Sequence, residues 1–429
     1  MLTEGERIYN WCKDLFPICR SLTGGGVRQT LNYLKTLVPE LELLSVPSGT
    51  KVFDWEVPKE WNIKDAWIKD KKGRKIINFK ENNLHILGYS LPIHKKLDLS
   101  ELEKHLHSIP EQPNAIPYIT SYYKERWGFC LAHSQRQSLL EGEYEVFIDS
   151  SLKKGLLNYG EILLKGESDK EILLSTYVCH PSMGNNELSG ITVTVAIAQW
   201  LKSINRKYSY RVVFAPETIG SLIYIEKHLK HLKQKLICGF VISCIGDERG
   251  YSFVNTPYGN TLADRVIEHA ANLQSKGNFT KYSYLQRGSD ERQYCAPNIN
   301  LPVVTVCRSK FGKYAEYHTS LDDLTVVTPE GLQGGFEYLQ KAILILEKNE
   351  IYKSTVLGEP HLGKSGLYPN LSTKQSSLLV SNMMNLIAYS NGENDLLKIS
   401  DICKGDFFKL VEIAKRLQLE KLLCINSEL

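Results

Sequence analysis

Two histidines and a set of carboxylates stand just past apolar runs of the chain. His180, Asn186 and Glu187 follow "EILLSTYV", inside "YVCHPSMGNNELSG" at 177–190. Glu217 follows "YRVVFA" in "PETIGS", and Asp247 follows "FVISCI". His318 comes after "LPVVTVCR" and a loop, in "EYHTSLDD", and "GSDERQY" adds Asp290, Glu291 and Arg292. Imidazole nitrogen with carboxylate oxygen suits a borderline cation such as zinc. Such a set could perform hydrolysis. A metal with one open position lowers the pKa of bound water to near neutrality, and a carboxylate the metal does not consume takes the proton. Glu217 is the best candidate for that base, because it ends a strand and precedes the helix start "IGS". Each residue also has a commoner structural reading. A lone histidine after a strand is usually hydrogen-bonded scaffold, "NNELSG" and Glu217–Thr218 read as helix caps, Asp247 terminates a strand in "GDERG", and "HTSLDD" starts a turn. Only their joint placement at strand ends favours a metal site.

The elements that must bring these residues together are legible as alternating patterns. From about Glu171 to Glu350, short runs rich in Val and Ile alternate with helical stretches at 190–201, 221–232, 261–273 and 332–346. That alternation predicts a mainly parallel sheet covered on both faces, with ligands bound beyond the carboxyl ends of its strands. Upstream, Thr3 and Glu6 form a capping box for a first helix, and a second runs from about Val27 to Leu37 after the break "SLTGGG". Residues 51–166 are rich in aromatics and alternate apolar with polar residues around a "DKKGRK" turn. "YYKERWGFCLAHS" and "EYEVFIDSSL" read as further strands, and the whole as a separate β-rich insert. Past the connector "GEPHLGKSGLYPNLS", residues 351–429 hold three helical patterns and "KLLCIN" as a short strand, the outline of a winged helix.

Composition limits the rest. The chain has 429 residues, too many for one ordinary core. With 52 basic and 48 acidic residues the net charge is +4, which does not argue for nucleic acid or a membrane surface. No run of 18 apolar residues exists, so no membrane span is expected. The start lacks a signal-peptide pattern, and the 10 cysteines are scattered without a C-x-x-C pair. Reduced thiols in a cytoplasmic protein are expected.

"CHPSMGNNELSG", "PETIGS", "GSDERQYCAPNINLPV" and "EYHTSLDDL" resemble the aminopeptidase-like family of zinc exopeptidases that carries an inserted β-rich domain and a C-terminal winged helix. "FDWEVPKEWNIKDAWI", "IPYITSYYKERWGFC" and "GEPHLGKSGLYPNLS" match it outside the core. The resemblance implies an α/β class with a phosphorylase/hydrolase-like three-layer core over 1–50 and 167–350, the insert at 51–166 and a winged-helix domain at 351–429. It also implies membership in bacterial surface-polysaccharide gene clusters. The broader zinc aminopeptidases use a histidine, a bridging aspartate at a "D-N-x-S-G"-like helix start, two adjacent glutamates, a later aspartate and a final histidine. His180 and His318 match the histidines. Asn186, beside Glu187, falls at the bridging aspartate, and Glu217 alone stands for the glutamate pair, as base or as ligand. Cys244 or Asp247 aligns with the later aspartate, and Asp247 is preferred because a carboxylate suits zinc. Loss of the bridging charge favours one zinc over two.

The expectation is a zinc-dependent hydrolase of the aminopeptidase type acting on a peptide or other small amide. His180, His318 and Asp247 would hold the metal, helped by Glu187 or Asn186, with Glu217 activating water. Arg292 would clamp a carboxylate, Asp290 or Glu291 would pair with an α-amine, and Tyr317 would line the substrate site. Two rivals remain: amide hydrolysis on an amino-sugar or surface-polysaccharide precursor, and a non-catalytic binding protein on a decayed scaffold. For the winged helix, nine Lys/Arg against eight Asp/Glu rank DNA binding below protein contact or a homo-oligomer.

Overall fold

The computed structural model describes residues 2–367 and 374–426. They form two compact units, Met1–Leu339 and Gln340–Leu429. The first is built on an eight-stranded sheet. In chain order its strands are β1 Glu42–Pro47, β2 Leu156–Leu164, β3 Glu171–Tyr177, β4 Ser209–Ala215, β5 Leu236–Ile242, β6 Ser252–Val254, β7 Thr280–Tyr282 and β8 Val303–Cys307. Across the sheet they run β1-β2-β4-β3-β5-β8-β6-β7. The central four, β4-β3-β5-β8, are parallel. Every residue of β3, β4 and β8 is buried, which is why they read as unbroken apolar runs rather than alternating ones.

Helices join these strands as their apolar periodicity predicts. The helix α1 Glu4–Leu15 opens on the Thr3/Glu6 capping box, and α2 spans Gly25–Leu37. Three more are α3 Ser189–Lys202 after β3, α4 Ile219–Lys235 after β4 and α5 Leu262–Ser275. The start of α3 lies against the end of β5. A Cβ on Gly190 would stand 2.5 Å from the Ile242 carbonyl oxygen, so the Ser-Gly pair permits an approach no larger residue allows. From β3 the chain crosses to β4 on one side, and from β4 over β3 to β5 on the other. The strand order therefore reverses at β3, where open α/β sheets form their crevice.

The insert carries a four-stranded antiparallel sheet in the order Lys75–Asn78, Glu60–Lys69, Glu143–Lys153, Ile93–Asp98. Two expectations change here. The range 51–166 takes in β2, which belongs to the main sheet between β1 and β4. The insert is also not a separate body, because Trp61, Ile68, Val146 and Ile148 share one apolar cluster with Leu173 and Val213. Of "YYKERWGFCLAHS", only Phe129–Cys130 is a strand.

The second unit has a three-stranded sheet with Ile351–Ser354 between Asn391–Asp395 and Leu423–Ile425. Helices Lys374–Tyr389, Leu396–Cys403 and Phe407–Leu419 accompany it. Asp395 and Asp406 cap the last two at 2.7 and 3.0 Å. Leu386, Leu397, Phe407, Leu410 and Leu417 form its interior. The end of the expected connector "GEPHLGKSGLYPNLS", from residue 368 on, lies outside the described residues.

Candidate active site

His180 lies three residues past β3, and the turn after it is held by buried charge. Glu187 is the anchor. Its Oε1 accepts from Arg20 Nε at 2.8 Å, and its Oε2 from Cys179 N at 2.9 Å, from His180 N, and from His180 Nδ1 at 3.0 Å. Arg20 and Glu187 side chains are both 0% exposed. Arg20 also donates to the carbonyls of His180 and Leu15 at 3.0 and 2.7 Å. A carboxylate on Nδ1 sets the tautomer and leaves Nε2 with its lone pair free.

His318 reaches the same place from a loop after β8. Its ring centroid is 5.3 Å from that of His180, and Tyr118 of the insert stands 5.0 and 5.1 Å from the two rings. The insert fixes this loop through its backbone: Tyr118 N donates to His318 O at 2.9 Å, and Ser320 N to Ile116 O at 2.9 Å. His318 sits at φ 59°, an uncommon left-handed value for a side-chain-bearing residue. Tyr317 stacks on its ring at 3.9 Å. His318 Nε2 is buried with no hydrogen-bond partner in the structure. A buried ring nitrogen without a partner is costly, and a cation bound there would satisfy it.

Glu217 completes the group. It lies two residues past β4, with Oε2 4.0 Å from His180 Nε2 and Oε1 accepting from Ser289 Oγ at 2.9 Å. The next residue, Thr218, has φ 66° and ψ −76°, and Ile219 N donates to Glu217 O at 2.8 Å. That is the strained form of the three-residue turn. Asp290 holds it, accepting from Thr218 N at 2.7 Å and Ser221 Oγ at 2.9 Å, and Arg292 donates to Thr218 Oγ1 at 2.7 Å.

Electrostatics separates the two imidazoles. Burial, aided by the charge of His180, pulls the His318 pKa down to about 3, so its ring is neutral and able to ligate. At His180 burial also works downward, but the hydrogen bond and charge of Glu187 with the charge of Glu217 carry its pKa above the usual value. Burial raises Glu217 against the opposing pull of His180, Ser289 and Arg292. Burial and the charge of Glu217 push Asp290 up to about 7.

Several of the expected residues make scaffold contacts. Asp247 lies five residues past β5, beyond a left-handed turn at Cys244. Its oxygens accept from Asn185 Nδ2 at 2.9 Å, Ser309 N at 3.0 Å, Ser309 Oγ at 2.8 Å and Arg249 N at 2.8 Å, so it braces the scaffold. Asn186 Oδ1 accepts from Tyr177 OH at 2.6 Å, which occupies the atom expected to help the metal. Glu187 is spent on its four donors. Among the described residues, Cys179, His180 and Glu187 alone form a trio of close donor atoms. Within it the carboxylate already accepts four donors, which hold His180 in place. Glu291 turns inward, accepting from Gly288 N at 2.7 Å and Thr305 Oγ1 at 2.7 Å. Asp290 is buried under Thr218, while Arg292 lines a cavity of about 240 Å³ with His180, Glu217, Trp55, Tyr122 and Tyr123. Sequence reasoning missed Arg20, Tyr118 and Asp322. Asp322 accepts from the backbone of Asn185 and Asn186 at 2.7 and 2.9 Å and shapes their turn. Its place in "HTSLDD" was the available signal. Arg20 and Tyr118 offered none, since Glu187 lies 167 positions from Arg20 and the two imidazoles lie 62 and 200 positions from Tyr118.

This fold has relatives. The chain is 42% identical over 98% of its length, and 96% of the other's, to a Clostridium acetobutylicum protein named for polysaccharide biosynthesis and an aminopeptidase-like domain. A crystal structure of a candidate peptidase from that organism superposes with a TM-score of 0.91 at 42% identity, covering 98% of this chain and 96% of the other. A zinc aminopeptidase from Bacillus subtilis shares the fold, with a TM-score of 0.56 at 12% identity over 80% of this chain and 94% of its own. Residues 350–424 match the winged helix-turn-helix model. Residues 9–349 match the model described as "Domain of unknown function (DUF4910)", and the chain belongs to that family, an aminopeptidase-like α/β fold joined to a winged helix.

Proposed function

We propose that the protein is a metal-dependent hydrolase that cleaves an amide bond. The observation that carries this reading is the convergence of His180 and His318 beside Glu217, one imidazole with Nδ1 clamped and the other with a buried, unpartnered Nε2. His180 Nε2 and His318 Nε2 would hold the ion, and zinc accepts that donor set. When bound, it would polarise the amide carbonyl and make water acidic enough to attack at neutral pH. Glu217 Oε2 takes the proton. Ser289 holds the other oxygen, and burial raises the basicity of the pair. Arg292, at the cavity wall, receives an anionic end of the substrate. Tyr118 and Tyr122, joined hydroxyl to hydroxyl at 2.9 Å, shield the imidazoles from bulk water.

A second substrate reading, an acylated amino sugar, draws on the exposed Trp55 and Tyr123 at the cavity mouth and on the name of the Clostridium relative. For the winged-helix unit we assign protein contact before duplex binding, since its charge is nearly balanced. A random-duplex gel shift at two salt concentrations tests this.

The test of function is metal content by mass spectrometry together with hydrolysis of aminoacyl anilides and N-acylated amino sugars. Wild type should carry one zinc per chain and His318→Ala none. Glu217→Gln should keep the zinc and lose about 10²-fold or more in rate. Loss of zinc in Glu217→Gln would make Glu217 a ligand rather than the base. A wild-type chain without zinc, or a fully active His318→Ala, would defeat the assignment.

A further inference from the structure

Beside the cavity at His180 and Glu217 lies a second one of about 390 Å³, and Tyr122 and Tyr123 line both. The second is walled by Lys59, Lys124 and Lys154 against Glu56 and Glu125. The two acids are already neutralised, Glu56 by Lys51 at 2.6 Å and Glu125 by Lys59 at 2.7 Å. Among the described residues Lys124 and Lys154 have no carboxylate partner, so the cavity keeps an uncompensated positive charge. Aromatic rings border both cavities. Trp55 and Tyr123 are 41% and 57% exposed, meet edge to face at 6.2 Å, and the Tyr123 hydroxyl is tied to Glu56 O at 2.9 Å. Large exposed rings held rigidly offer a flat apolar face at little entropic cost.

We infer that this second cavity binds an anionic group, phosphate or carboxylate, on a ring-bearing part of the substrate that crosses Trp55 and Tyr123, remote from the bond attacked at Glu217. The inference rests on the hydrolase reading but names chemistry that reading does not require. The apolar C–H face of a sugar ring lies on the indole and phenol, and Lys124 and Lys154 supply the charge.

The test is titration of the full chain with glucose 1-phosphate, glucuronate and glucose, followed by tryptophan fluorescence. At least one of the anionic sugars should bind about fivefold or more tightly than glucose, and added salt should shrink the difference. Lys124→Ala/Lys154→Ala should abolish the preference, Trp55→Ala should weaken every sugar, and His318→Ala should change neither. Both lysines are exposed, so the variants should keep the wild-type Tm. The inference is overturned if glucose binds as well as both anions, if no sugar binds, or if Lys71→Ala/Lys72→Ala on the far turn has the same effect. Hydrolysis of aminoacyl anilides and N-acylated amino sugars separates the two claims. Intact hydrolysis with no anion preference sinks this inference alone, whereas anion binding with no hydrolysis by the wild type sinks the hydrolase reading alone.

Discussion

Replacing Glu187 with Gln tests whether the clamp on His180 organises the site. The carboxylate receives Arg20 Nε on one oxygen and three N–H groups of residues 179 and 180 on the other. A carboxamide turns one of these acceptors into a donor facing other donors. It also strands a guanidinium whose side chain is 0% exposed and whose Nη2 already lacks a hydrogen-bond partner. Breaking a buried ion pair by removing one partner costs about 3–5 kcal/mol. In a unit of this size that lowers Tm by roughly 4–7 °C. Free of its carboxylate, His180 loses its set tautomer, and zinc affinity should fall about 10–100-fold. Calorimetry and competition with a chromophoric chelator read the two effects. A Glu187→Gln protein with wild-type Tm and zinc affinity would refute the clamp. If it lost all zinc while His318→Ala kept it, the ion would sit on Cys179, His180 and Glu187, and the two-imidazole site would fall.

Three further outcomes follow from other contacts. Arg249 grips Glu316 by two 2.8 Å bonds and so steadies the His318 loop. Because it is 48% exposed, Arg249→Ala should cost under about 1 kcal/mol of stability yet weaken zinc binding, and unchanged affinity would count against loop control. Thr218→Gly relieves a positive-φ strain of about 1–3 kcal/mol, so Tm should hold or rise while kcat falls as Glu217 loosens; a clear drop in Tm would contradict the strained turn. Glu60 is lowered to about 2, since bonds from Arg28, Asn62 and Leu156 N outweigh the upward push of burial. With the folded pKa below the unfolded one, its stabilisation is complete above about pH 4.5 and is lost as pH falls towards 2. Glu60→Gln should flatten the acid limb of a Tm–pH curve in that window, and an unaltered limb would show the group to be unshifted.

The site was legible where chemistry followed local pattern. His180 and Glu217 stand two or three residues past fully buried strands, and the hydrophobic runs that end there can be read without any partner. Asp247 obeyed the same rule by residue type but not by reach, because the chain turns away at Cys244. The aromatic stretch around Tyr118 to Trp127 misled in another way. Its β-like composition serves a wall over the imidazoles and the cavity mouth, with strand confined to Phe129–Cys130.

Local periodicity, glycine placement and caps depend on neighbours a few positions apart, so the sequence alone determined the alternating α/β core, the winged-helix outline and the placement of His180 and Glu217 at strand ends. Which oxygen or nitrogen stays free depends on donors that arrive from anywhere in the chain. Arg20 meets Glu187, Tyr177 meets Asn186, and Asn185 and Ser309 meet Asp247 only once the sheet is assembled. Folding alone therefore decided which donors engage Glu187, Asn186 and Asp247 and that the His318 Nε2 is left over.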